Sequence, residues 1–124
     1  MTAAAAKTVL LVDFQRKRVQ PPTVAATARL PRVVKTLALA HRIDAMIATG
    51  KFKDYVEAAR ALGLTRARVA QITSLLLLAP AIQEAILDLP LVTGRDPVTE
   101  RQLRPIVAEP DWSTQMKMWR RIHG

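Results

Sequence analysis

Tyr55-Val-Glu-Ala-Ala-Arg-Ala-Leu-Gly-Leu-Thr-Arg-Ala-Arg-Val-Ala-Gln-Ile-Thr-Ser74 is the stretch on which the fold turns. Its spacing predicts two helices, Lys53 to Leu62 and Arg66 to about Leu78, with only Gly63, Leu64 and Thr65 between them. Two helices that cross steeply need a small residue at their contact, and Ala59 supplies it. Four residues on, Gly63 can take the positive φ that a sharp reversal requires and a Cβ would oppose. Thr65 can cap the following helix through its hydroxyl. Leu62, Leu64, Val69 and Ile72 are expected to share a core with the preceding helix.

With Val69, Ile72 and Leu76 inward, the helical wheel turns Ala67, Gln71 and Ser74 outward and sets Arg66 and Arg68 on the flanks. Arg can bond a guanine edge with two donors, Gln can do the same for adenine, and a small Ala67 lets a helix approach a groove floor. The free N–H groups of the first turn favour phosphate. The pattern predicts a helix-turn-helix whose recognition helix begins at Arg66, with double-stranded DNA as partner. The plainer reading is an ordinary helical hairpin with solvated arginines.

Charge favours the first reading. Nineteen Lys and Arg stand against ten Asp and Glu, a formal charge of +9. Residues 1–80 hold thirteen basic and four acidic side chains, while residues 81–124 hold six of each, so the whole excess lies in the first two thirds. Such a field attracts polyanions, nucleic acid first among them.

Outward from this stretch, Val34, Leu37, Ala38, His41, Ile43, Ala45, Ile47 and Ala48 form an apolar stripe of helical period, so a helix is expected over 32–49, ended by Gly50. Pro80 can start a helix through Leu87. Pro97 can sit in the first turn of another with Asp96 as its cap, and Asp111-Trp112-Ser113 can open the last. Hydrophobic residues make up 50% of the chain but aromatics only 4%, which suits helices packed on helices. The fold class expected is all-α, a domain of five or six helices over residues 31–124 preceded by a flexible basic arm over 1–30.

In that arm Thr8 to Phe14 could form a short strand or an extended segment, and Arg16-Lys17-Arg18 precede Pro21-Pro22. Prolines keep such a segment extended. Arg16, Lys17 and Arg18 are therefore candidate contacts to the DNA backbone or minor groove.

Residues 36–108 resemble the helix-turn-helix domain of the ParB/KorB group of partition proteins and repressors. The likeness is carried by Ala58-Ala59-Arg60-Ala61-Leu62-Gly63-Leu64-Thr65, by Val69-Ala70-Gln71-Ile72, and by Leu75 to Pro80 leading into Ile82-Gln83-Glu84. Val98-Thr99-Glu100-Arg101-Gln102-Leu103-Arg104 resembles the short helix that follows the recognition unit in that group. The resemblance implies specific duplex binding, commonly by a homodimer on a palindrome, with Thr65, Arg66, Arg68 and Gln71 in the recognition positions. The function expected is that of a transcriptional regulator, a partition-like factor or an accessory protein of a mobile element. Larger members carry an N-terminal nucleotide-binding domain; nothing before residue 31 matches one, so nucleotide-gated sliding is not expected.

Other chemistry has little support in the residues. There is no cysteine, which excludes disulfides and thiolate zinc sites, and the two histidines lie far apart. His41 with Asp44 reads as a partly buried structural histidine rather than an acid/base pair. With no phosphate loop or nucleophile elbow, no enzyme and no cofactor are expected. No apolar run approaches the roughly 20 residues of a membrane span, so no membrane partner is expected and the location expected is the cytoplasm, on the nucleoid. Trp112, Met116 and Trp119 recur at helical spacing, either as core or as a stripe for a further protein or a second copy. The alternative of another class is a helical adaptor that binds an acidic protein or RNA.

Overall fold

The computed structural model describes residues 28–123, and all regular structure among them is helical. In chain order the elements are α1 (Arg32–Ala48), α2 (Tyr55–Leu62), α3 (Arg66–Thr73), a 3-10 turn (Ser74–Leu77), α4 (Pro80–Leu87), α5 (Glu100–Val107) and α6 (Trp112–His123). Thr8 to Phe14, Arg16, Lys17 and Arg18 lie outside the described residues.

Helix α1 is the spine. Val33, Val34, Leu37, Ala40 and Ile43 are buried along it, and it packs against α3, the 3-10 turn and α4. The buried stripe is rotated from the expected one: Ala38, His41, Ala45 and Ala48 are exposed. Alanine fits either face of a helix, so the four small or polar positions pulled the stripe toward solvent, while branched Val33 belonged inside. Gly50, at φ 85°, ends the helix. The N–H of Lys51 returns to the Met46 carbonyl at 2.8 Å and that of Gly50 to the Ile47 carbonyl at 3.1 Å, which satisfies two terminal carbonyls.

The end of α3 and the start of α5 also differ from expectation. Helix α3 stops at Thr73 and the chain tightens into the 3-10 turn instead of running on to Leu78. The Thr73 hydroxyl donates to the Val69 carbonyl at 2.9 Å and the Ser74 hydroxyl to the Gln71 carbonyl at 2.7 Å, and such back-bonding competes with helix propagation. Helix α5 begins at Glu100, not at Pro97. Thr99 and Gln102 close a reciprocal capping box, with the Thr99 Oγ1 accepting from the Gln102 N–H and the Gln102 Oε1 from the Thr99 N–H.

Asp96, expected as that cap, is instead a clamp. Its carboxylate, 5% exposed, meets Arg29 at 2.7 Å and Arg32 at 3.3 Å. The Arg29 hydrogen bond chiefly, helped by both positive charges, holds its carboxyl below the usual range. Arg29 also exchanges backbone hydrogen bonds with Val92, at 2.8 and 2.7 Å. The start of α1 and the loop before α5 are thereby joined. Asp111 caps α6 as expected, accepting from the Thr114 N–H at 2.9 Å.

Candidate nucleic-acid interface

Helices α2 and α3 are joined by the three residues Gly63, Leu64 and Thr65. Gly63 stands at φ 71°, its N–H bonded to the Arg60 carbonyl at 3.4 Å, and the Leu64 N–H returns to the Ala59 carbonyl at 2.9 Å. A Cβ on Gly63 would meet nothing within 4 Å, so the demand for glycine there is conformational and not steric. Asp54 caps α2 by accepting from the Glu57 N–H at 2.9 Å, so the helix begins at Tyr55, two residues after the expected Lys53. Thr65 starts α3 by accepting from the Arg68 N–H at 3.0 Å.

Beneath the pair lie Ala40, Ile43, Ala58, Ala59, Val69 and Ile72, all buried, with Leu64 packed against them. Leu62 does not join them. It is 40% exposed at the end of α2, and Leu64, just past the turn, makes the apolar contact instead.

The outward side of α3 carries Arg66, Ala67, Ala70 and Gln71, all exposed, with Thr65 ahead of them. Ala70 is the residue missed by sequence reasoning. It lies three positions after Ala67 and next to Gln71, and that spacing could have found it. Ser74 is only half exposed, since it opens the 3-10 turn with its hydroxyl spent on the Gln71 carbonyl. The backbone N–H groups of Arg66 and Ala67 have no partner among the described residues.

Arg68 is in a different situation. Its Nη1 meets Glu100 Oε2 at 2.7 Å and its Nη2 meets Glu100 Oε1 at 3.0 Å, a two-pronged ion pair across to the first residue of α5. Nη1 also reaches Gln71 Oε1 at 3.3 Å. The Glu100 hydrogen bond first, then its charge, raises the Arg68 guanidinium above its usual pKa, against the opposing effect of partial burial. Glu100 lies between two shallow clefts. One, of about 220 Å³, is bounded by Gln71, Ser74, Glu100 and Arg104; the other, of about 200 Å³, by Arg32, Thr36, Arg68 and Asp96.

The remaining candidates separate. Trp119 is buried in the core with Met116 packed against it, whereas Trp112 is 55% exposed, so the three do not form one accessible stripe. Gln115, between them, is buried and donates to two main-chain carbonyls. His123 lies over Trp119, ring centroids 5.0 Å apart. His41 is exposed, not partly buried, and its Nε2 pairs with Gln83 Oε1 at 2.8 Å. No group of three metal-ligating side chains and no single helix long and apolar enough to cross a membrane occur among the described residues. No family model matches the chain, and neither a curated protein nor a solved structure matches it.

Proposed function

We propose that this chain binds duplex DNA with sequence selectivity through a helix-turn-helix made of α2, the Gly63–Thr65 turn and α3. On this reading it acts as a transcriptional regulator, a partition-like factor or an accessory protein of a mobile element. The observation that carries the reading is the outward face of α3. Thr65, Arg66, Ala67, Ala70 and Gln71 stand in solvent on a helix anchored from below by Val69 and Ile72, with no acid in its sequence.

Two small alanines there leave room for a close approach, and Gln71 offers a paired donor and acceptor suited to adenine. The unspent N–H groups at the start of α3 and the exposed Lys51, Lys53 and Arg60 suit phosphate contacts, which position a protein without reading sequence. A basic arm bearing Arg16, Lys17 and Arg18 would add to that term, and a homodimer would read a palindrome.

Selection of bound duplexes from a random pool tests this reading. A common sequence in two inverted halves is the expected result. Equal retention of random duplexes, or preference for RNA or an acidic protein over any duplex, would overturn it.

A further inference from the structure

We infer that Glu100 determines specificity at this surface, by fixing the plane of Arg68 and cancelling its charge so that it reads a base edge instead of gripping phosphate. The inference rests on the DNA-binding reading above. It starts from the donor count of the guanidinium. Arg has five N–H donors in a fixed fork. Glu100 takes one from each terminal nitrogen, and Gln71 Oε1 takes the second hydrogen of Nη1. The Nε–H and the second Nη2–H have no partner among the described residues. These two lie side by side on one edge of the group, spaced to meet the O6 and N7 of a guanine.

Charge gives the second half of the argument. A lone arginine is drawn to every phosphate, and that attraction adds affinity without selectivity. Glu100, with its side chain 17% exposed, sets a carboxylate directly against Arg68, whose side chain is 37% exposed. The pair presents almost no net charge to a distant phosphate but keeps its hydrogen-bond pattern at short range. Glu100 is well placed to hold this geometry: it is the first residue of α5, next to the Thr99–Gln102 capping box, where the helix dipole favours an acid. An arginine held in plane loses less side-chain freedom on docking than one free in solvent.

The test compares the full chain with Glu100→Gln on a selected duplex and on a random duplex, over a salt series. Neutralising Glu100 is expected to strengthen random-duplex binding, to steepen its salt slope by roughly 0.9 for one added phosphate contact, and to cut the selected-to-random affinity ratio roughly tenfold. Glu100→Asp, which keeps the charge but shortens the reach, is expected to lower the ratio without raising random binding. In an Arg68→Ala background Glu100→Gln should leave the ratio unchanged, because the effect runs through Arg68. A ratio unaltered by Glu100→Gln, including equal gains on both duplexes as from a simple mask, would overturn the inference alone. A parent chain that binds no duplex would instead overturn the DNA-binding reading and the inference with it.

Discussion

Two hydrophobic clusters share α1 but differ in grain. The one beneath α3 is half alanine, with Ala40, Ala58 and Ala59 beside Ile43, Val69 and Ile72. The one formed with the 3-10 turn, α4, α5 and α6 has a single alanine among thirteen buried residues and is otherwise large: Leu37, Leu75, Leu78, Ile82, Leu103, Ile106, Trp119 and others. Full burial of a Leu or Ile side chain stabilises by about 1.5–3 kcal/mol, so the second cluster supplies most of the hydrophobic stability. Alanines contribute little by burial but let backbones approach, so the first cluster fixes the geometry of a short helix pair. Leu76, packed against both, joins them.

The contrast can be broken from either side. The largest effect is expected in the coarse cluster, where Ile82→Ala or Leu103→Ala should cost about 2–5 kcal/mol of unfolding free energy, measured in urea. A loss below that of Ile43→Ala would invert the roles assigned to the two clusters. In the fine cluster the damaging change is growth. Ala59→Leu should cost about 1–3 kcal/mol by overpacking and, on the proposed DNA-binding reading, should weaken duplex binding further than the lost stability explains, by tilting α3. Thermal melting together with binding at a temperature where the variant is folded separates the two contributions.

Gly63→Val should cost about 1–2 kcal/mol through the left-handed backbone alone, given the open space around its position. Gly63→Asn, which enters that region more readily, should melt closer to the parent; equal losses for Val and Asn would mean that φ is not the constraint. Thr65→Ala should cost about 1 kcal/mol through the lost cap at the Arg68 N–H.

The smallest effect belongs to the coarse half and depends on pH. Because the folded Asp96 carboxyl is held below its ordinary value, its contribution to stability is fully present above about pH 4 and is lost as the pH falls from there through the folded value. Asp96→Asn should flatten this part of the stability profile on the acid side; an unchanged profile would remove the clamp from the account.

Local chemistry made much of this legible. Gly50 and Gly63 end helices, and Thr65 and Asp111 cap them, because each device acts within five residues of itself. What the sequence leaves illegible has a common cause in distance and degeneracy. Alanine has no strong preference for inside or outside, so an alanine-rich helix such as α1 does not declare its buried face. Asp96 has the composition of a cap, but its partners Arg29 and Arg32 lie 67 and 64 residues away, and nothing local distinguishes the two fates. Arg68 was recognisable as a candidate on the outer flank of α3, yet its pairing with Glu100, 32 residues on, leaves no periodic trace.

Gln115 links the two ends of the coarse half in a way that bears on how the chain is made. Its side-chain oxygen accepts the Ala79 N–H at 2.7 Å, and its side-chain nitrogen donates to the Leu77 and Glu109 carbonyls at 3.2 and 2.8 Å. The amide of Ala79 therefore waits for a residue translated 36 positions later, a delay of roughly two to seven seconds at ordinary elongation rates. Until Gln115 and Trp119 join the fold, Leu75 and Leu78 lack both the polar suture and the last member of their core cluster. A chain truncated before Gln115 should accordingly leave Leu75 and Leu78 uncovered and bind a hydrophobic dye that the full chain does not.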